Sequence, residues 1–258
     1  MQKESEKFID SDILEGMSSI SALIKAIDSG KNSRRIKRIL FDRSKEKSKY
    51  KELRFLEIMG QKHAFRVDKV DHTEIDERTI GNTHGGIIAE CTGRELPALS
   101  SDLIKDNGVY FILDGVEDPY NFGYAVRSLY AAGVDGLVLG ERNWMGAAGV
   151  VARSSAGASE LIDLYVSDTH FAIDLFRSKG YEIVCAGIRD SVSLFETELK
   201  KPLLVILGGE KRGISSSILN KADRIVRIDY GSPFGGSLST AAATAVFAFE
   251  ILRKNREV

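Results

Sequence analysis

Residues Leu204 to Glu250 read LVILGGEKRGISSSILNKADRIVRIDYGSPFGGSLSTAAATAVFAFE. The apolar run Leu203 to Leu207 stops at Gly208-Gly209-Glu210, and a second short strand, Arg224 to Ile228, stops at Tyr230-Gly231. A Gly/Ser loop then leads into an Ala-rich helix. Two strands that each end in a glycine turn predict two backbone loops on one edge of a sheet, the edge where α/β proteins bind ligands.

Working outward, the same alternation begins at Gly108. Val109 to Leu113 is apolar enough to be buried on both faces, as in a parallel sheet. A helix follows from about Phe122 to Ala132, then a strand at Gly136 to Leu139 and a small-residue helix over Ala147 to Ala158. Leu161 to Val166 reads as a strand, Asp168 to Lys179 as a helix and Tyr181 to Ala186 as a strand, which predicts roughly six parallel strands with interleaved helices. Before this block, Ile13, Leu14, Met17, Ile20, Ile24 and Ile27 recur at helical spacing and Gly30 suits a C-terminal cap. Strands at Ile36 to Phe41, Ala64 to Val67 and Ile87 to Ala89 alternate with helices at Tyr50 to Met59 and around Glu74 to Thr79. That pattern describes a small α/β domain, with Thr92 to Asn107 as the linker.

Hydrophobic content of 43% and charged content of 28% belong to an ordinary soluble globular chain. No apolar run approaches the roughly 18 residues of a membrane helix, and MQKESEKFID lacks a signal-peptide core. Cys91 and Cys185 are lone thiols, which fits a reducing cytoplasm. The four histidines form no pair at ligand spacing, so no structural metal is expected. The net charge of −1 hides an asymmetry: eleven Lys/Arg between Lys31 and Arg54 face only Asp42, Glu46 and Glu52. Such a run is either the footprint of a polyanion partner or a solvated lysine-rich face.

Three constellations carry chemistry. In Asp118-Pro119-Tyr120-Asn121-Phe122-Gly123, Asn121 stands where a helix N-cap is expected, and Arg127 follows amid apolar neighbours, where a fixed guanidinium suits a phosphate or carboxylate. Gly208 to Gly213 has neither GxxxxGK[ST] nor GxGxxG spacing, and Glu210 would repel a phosphate; a ligand of amine or sulfonium character fits better. In Gly235-Gly236-Ser237-Leu238-Ser239-Thr240 either serine suits a cap for the final helix, whose Leu238, Ala242, Ala245, Phe249 and Leu252 form an apolar stripe for core or dimer packing.

In this order DPYNFGYAVRS, LGGEKRG and GGSLSTAAATAVFAFE resemble the three signature motifs of the SpoU, or TrmH-type, ribose 2′-O-methyltransferases, and Arg153 to Ala158 resembles the helix and turn between the first two. The resemblance covers most of Gly108 to Arg253. It implies a C-terminal α/β knot, a deep trefoil, over residues 101–258. It also implies a small ribosomal-protein-like α/β domain over residues 1–100 that binds substrate, in which HGGIIAE (84–90) is the best-matching piece. The family binds S-adenosylmethionine through backbone that corresponds here to Leu207, Gly208, Gly209, Ile228 and Leu238. Asn121 and Arg127 match the polar pair of the first motif, Glu210 the acid of the second, and Ser237 and Ser239 the polar positions of the third. Homodimerisation through the knotted domain is implied, with no metal and no membrane. One departure stands out: the third motif ends Ser237-Leu238-Ser239 where the family has Ser-Leu-Asn, and a serine hydroxyl is shorter than an asparagine amide.

The expected reaction is methyl transfer from a sulfonium to a ribose 2′-oxygen of RNA, with the protein supplying alignment and help with the hydroxyl proton. Arginine is a poor base, so Arg127 is expected to act with an RNA phosphate or to stabilise the developing alkoxide. The N-terminal domain points to large-subunit ribosomal RNA as substrate, with Arg34, Arg35, Lys37 and Arg38 in the basic run holding phosphates. Transfer RNA and an antibiotic-resistance site in ribosomal RNA are alternatives. Others are an RNA-binding protein inactive through Ser239 and a small-molecule α/β enzyme.

Overall fold

The computed structural model describes residues 12–79, 84–140, 147–209 and 211–256, and the chain forms two sheets. In order, the elements are β1 (Ile13–Glu15), α1 (Gly16–Asp28), β2 (Ile36–Asp42), α2 (Tyr50–His63), β3 (Arg66–Val70), α3 (His72–Asp76), β4 (Ile87–Cys91), β5 (Val109–Asp114), α4 (Pro119–Ala131) and β6 (Gly136–Leu139). There follow α5 (Ala148–Ser154), α6 (Ala158–Leu161), β7 (Leu164–Val166), α7 (Thr169–Ser178), β8 (Glu182–Ala186), β9 (Val192–Ser193), β10 (Leu203–Gly208), α8 (Ser216–Leu219), β11 (Arg224–Arg227) and α9 (Thr240–Lys254). They divide into two units, residues 1–95 with 144–161 and residues 96–143 with 162–258.

The first unit is a four-stranded sheet in the order β1-β4-β2-β3, antiparallel except for the β2–β3 pair. Its core gathers Leu14, Ile20, Leu23, Ile39, Phe41, Leu56 and Ile87. The helical spacing that begins at Ile13 breaks in the structure: residues 13–15 form a strand, and Gly16, at φ +78°, turns the chain into α1. Residues 148–161, which a boundary after residue 100 assigns to the second domain, group instead with this unit. The reason is close packing of small residues. Ala152 joins the core, and a Cβ placed on Gly157 would lie 2.4 Å from that of Ala22 on α1. Ala156 and Gly157, both at positive φ, also split the expected single helix into α5 and α6.

The second unit is a seven-stranded, all-parallel sheet in the order β7-β6-β5-β10-β8-β11-β9. The six expected strands are present, with the two-residue β9 added at the edge. Strands β5 and β10 sit at the centre and are buried from end to end, except for their last one or two residues, because both faces are covered. Part of the expected linker is core: Leu99 and Ile104 are buried in the same cluster as Ile112, Phe176 and Ile206, and residue 98 bridges to Val166. At the centre of that cluster Tyr110, Phe176 and Tyr181 form a tilted ring triad with centroids 5.0 to 5.9 Å apart. The Tyr181 hydroxyl accepts from the Gly108 N–H at 3.1 Å and donates to the Lys105 carbonyl, so the buried polar atom is satisfied. Its burial pushes the phenol pKa up to about 12. Cys91 and Cys185 are free and buried, and burial pushes each thiol up to about 12.

Truncating the central ring of the triad, Phe176→Ala, is expected to cost about 3–5 kcal/mol of stability. The check is urea unfolding, with a lower midpoint and an unchanged m-value.

Candidate active site

Register places the site. Leu203–Gly208 of β10 pairs residue for residue with Val109–Asp114 of β5, so the loops after the two strands leave the sheet at the same level. Gly209 then donates its N–H to the Asp114 carbonyl, and a Cβ on Gly209 would stand 2.0 Å from the Gly115 carbonyl oxygen. Only glycine permits that approach. A Cβ on Gly208 would be 2.4 Å from Gly213, whose N–H closes the loop back onto the Gly209 carbonyl at 3.1 Å. The loop after β5, which leads into the first motif, and the second motif are thus held together by backbone, with the Lys211–Glu117 pair joining the same two loops. The third joins through Thr240, whose hydroxyl donates to the Gly208 carbonyl at 3.2 Å.

These contacts frame a cavity of ≈ 520 Å³ at the C-terminal edge of the sheet, where β8, β10 and β11 end. Its walls are apolar: Ile188, Leu207, Ile214, Val226 and Phe247 line it beside the glycines. Leu207, Gly208, Gly209, Ile228 and Leu238, the five positions expected to hold the cofactor, all line it, as does Ser237. Arg227 is the charged lining residue among those described, and its Nε–H is spent on the Asp229 carboxylate at 2.7 Å. Tyr230 and Phe234, which no motif pointed to, add two rings 5.9 Å apart, and the Tyr230 hydroxyl accepts the Leu238 N–H at 3.1 Å.

The other expected catalytic residues are placed differently. Asn121 is not the cap of α4. Asp118 is, accepting the Tyr120 and Asn121 N–H groups at 3.1 and 3.2 Å, so half-buried Asn121 lies in the first turn. Arg127 is exposed on α4, which packs against α9, and neither it nor Asn121 lines the cavity. Ser239 is the N-cap of α9, its Oγ accepting the Ala242 N–H at 3.3 Å, and it does not line the cavity either. Asparagine caps helices as well as serine does, so the departure from the motif keeps this local role. Glu210 lies outside the described residues. Beside it, Lys211 is hydrogen-bonded to Glu117, whose carboxyl is held below its usual range by that bond. Burial raises the Asp114 carboxyl at the end of β5. Among the described residues, no three His, Cys, Asp or Glu come together as a metal site, and no helix is long and apolar enough to cross a membrane.

The model of the SpoU rRNA Methylase family matches residues 108–249. The chain belongs to the SpoU rRNA methylase family. It is an RNA methyltransferase. It is 32% identical over 190 residues to the 23S rRNA (guanosine-2′-O-)-methyltransferase RlmB of Shewanella oneidensis, covering 70% of this chain and 76% of that one. With the same-named protein of Pseudomonas aeruginosa it shares 30% over 198 residues, 73% and 77% of the two chains. In fold it is similar to the AdoMet-bound rRNA methyltransferase from Sinorhizobium meliloti, with TM-score 0.75 and 22% identity over 93% of this chain and 86% of that one. The AdoMet complex of AviRb from Streptomyces viridochromogenes matches with TM-score 0.73 and 19% identity over 95% and 91%.

In the first unit the structure redistributes the four cations expected to hold RNA. Arg34 is 2% exposed. Its Nε lies 3.2 Å from Glu160 Oε2, and its Nη1 donates to the Thr92 carbonyl at 2.7 Å and reaches Asp12 at 3.4 Å. Asn32 Nδ2 completes the cluster, 2.8 Å from Glu160. A guanidinium so enclosed cannot meet a phosphate, and this corrects its assignment to RNA. Arg38 binds Glu90 through two hydrogen bonds, at 2.6 and 2.9 Å, which holds the Glu90 carboxyl below its usual range. Arg35 and Lys37 are exposed.

Two substitutions test these assignments. Gly209→Ala must displace one of two backbone segments, so S-adenosylmethionine affinity measured by calorimetry is expected to fall by about tenfold or more, at an overpacking cost of about 1–3 kcal/mol. Gly231→Ala, with open space around its Cα, is the control and leaves affinity unchanged. Arg34→Ala strands Glu160 and is expected to lose about 3–5 kcal/mol in chemical unfolding.

Proposed function

We propose that this protein transfers the methyl group of S-adenosylmethionine to a ribose 2′-hydroxyl of large-subunit ribosomal RNA, in the cytoplasm and as a homodimer. The observation that carries the reading is the cavity itself, where all five expected cofactor positions meet at one sheet edge, closed by the Gly209–Gly115 contact. Its volume and apolar wall suit a flat nucleoside with a short charged tail. The RlmB relatives, named for 2′-O-methylation of guanosine in 23S rRNA, support ribosomal RNA as the substrate. When bound, S-adenosylmethionine supplies a methyl group already activated on sulfonium, so the C–S bond breaks as the O–C bond forms and sulfur keeps the electron pair.

The residues then have separate tasks. The glycine loop and the backbone at Ile228 and Leu238 orient the donor, which is where proximity lowers the barrier. Arg127 stabilises the alkoxide as the hydroxyl proton departs to an RNA phosphate or water, and Asn121 holds the ribose or Arg127 in line. Glu210 and Ser237 shape the donor side, and Ser239 acts by capping α9 and so fixing Leu238. The exposed flank of α9 with α4, including Ala245, Phe249 at 48% and Tyr124 at 49% exposure, supports a second copy of the chain as its cover. In that assembly Arg127 reaches a site its own cavity does not present. We also propose that the C-terminal segment is threaded as a trefoil knot, a reading supported by the Thr240 hydroxyl that ties the start of α9 to the Gly208 carbonyl.

Arg127→Ala is expected to bind S-adenosylmethionine as the parent does in calorimetry, while methyl transfer to ribosomal RNA falls by about 10²–10³-fold. Full transfer activity in that variant would remove Arg127 from the mechanism.

A further inference from the structure

The lysines of the basic run behave unlike the arginines beside them. Among the described residues, no carboxylate comes within 4.0 Å of the ammonium groups of Lys45, Lys47, Lys49 or Lys51, whereas Lys62 and Lys69 nearby are paired at 2.6 and 2.5 Å. The four occupy the turn and first residues of α2, where Lys49 is the N-cap and Tyr50 the first helical residue. Helix N-termini are electropositive, so cations there are disfavoured, and adjacent like charges add to the cost. The local fold is therefore working against its own charge, which is the mark of a place kept for a ligand of opposite sign.

The His84-Gly85-Gly86 turn shapes this place. Both glycines have positive φ. A Cβ on Gly86 would lie 2.8 Å from Lys45 Cδ, and one on Gly85 3.0 Å from Lys49 Nζ, so both lysines are laid across the same two-glycine turn. His84 holds it from below: its Nδ1 accepts the Gly86 N–H at 3.0 Å, so Nε2 carries the proton and donates to Asp76 at 2.9 Å. The Lys49 N–H donates to the Lys45 carbonyl at 2.8 Å, keeping the pair one turn apart. Asp42, the acid next to the turn, accepts from the Ser44 N–H and hydroxyl on Oδ1 at 2.9 and 2.7 Å, and Lys45 attracts its carboxylate without coming within 4.0 Å of it. Between Lys49 and Lys51 stands Tyr50, which is 59% exposed.

Unpaired cations beside an exposed ring match a single-stranded nucleotide, with phosphates on the lysines and the base on the ring. Resting on the RNA reading above, we infer that Lys45, Lys49 and Tyr50, seated on the His84–Gly86 turn, form a site for an unpaired nucleotide of the substrate RNA. Lys47 and Lys51 extend its field.

The test uses the full chain and two fluorescein-labelled RNAs with equal numbers of phosphates, a hairpin with an unpaired loop and a blunt duplex. Tyr50→Ala is expected to weaken the hairpin about tenfold and leave the duplex within twofold, with Tyr50→Phe restoring the parent value. Lys45→Gln with Lys49→Gln is expected to lower the slope of log affinity against log salt by about 1.4 for the hairpin. Calorimetry with S-adenosylmethionine should be unchanged in all variants. Equal affinity of Tyr50→Ala and parent for the hairpin, or equal losses on both RNAs, overturns the site while leaving the methyltransferase reading intact. A parent protein that binds neither RNA overturns both. Tyr50-dependent hairpin binding without methyl transfer to ribosomal RNA upholds the site and overturns the reaction.

Discussion

The second unit depends on one close approach, the backbone of Gly209 against the carbonyl of Gly115. Two parallel strands in register must end at the same level before the loops that follow can touch. The all-apolar centres of β5 and β10 provide this by being buried on both faces. Once the loops touch, there is no room for a side chain between them, and the backbone itself becomes the wall of the cavity. Thr240 then fastens the start of α9 to the same loop. Three segments far apart in sequence become one surface through contacts that involve hardly any functional side chains.

The first unit turns on charge. Within one basic run the structure separates cations that are consumed by the fold from cations that are left over. Arg34 is enclosed by Glu160, Asp12 and the Thr92 carbonyl, and Arg38 is held by Glu90. Both are planar donors suited to such pairing. Lys45, Lys47, Lys49 and Lys51 have no carboxylate within 4.0 Å among the described residues and sit at the N-terminus of a helix, where their charge is locally unfavourable. Residues 148–161 belong to this economy too, since Glu160 is the partner that neutralises Arg34.

Much of the fold could be read directly. The strands at Val109, Gly136 and Leu203 are apolar runs bounded by glycine or acid, and these and the strand at Arg224 lie within a residue or two of where they were expected. The errors have local causes. Ile13 and Leu14 keep helical spacing but pair with β4, because a sheet edge was available to them. Leu99 and Ile104 sit in a stretch of proline, glycine and serine that looks like a linker, yet their side chains are core. At the site, Gly208, Ile228 and Leu238 were identifiable from motif order. Tyr230 and Phe234 were not, because nothing in spacing reveals which loop residues fold back over a cavity.

The sequence by itself determined every strand but β1 and β9, the all-parallel central sheet and the three segments that carry the chemistry, since hydrophobic period and glycine placement are local properties of the chain. Only the tertiary structure decided which like residues share a role. Arg34 is buried and Lys49 is not; Ser239 caps a helix while Ser237 faces the cavity; Asp118 takes the capping position that Asn121 had been expected to fill. The physical reason is that charge and hydrogen-bonding capacity are fixed by residue type, but whether they are spent inside the protein depends on partners far away in sequence, such as Glu160 for Asn32, 128 positions on.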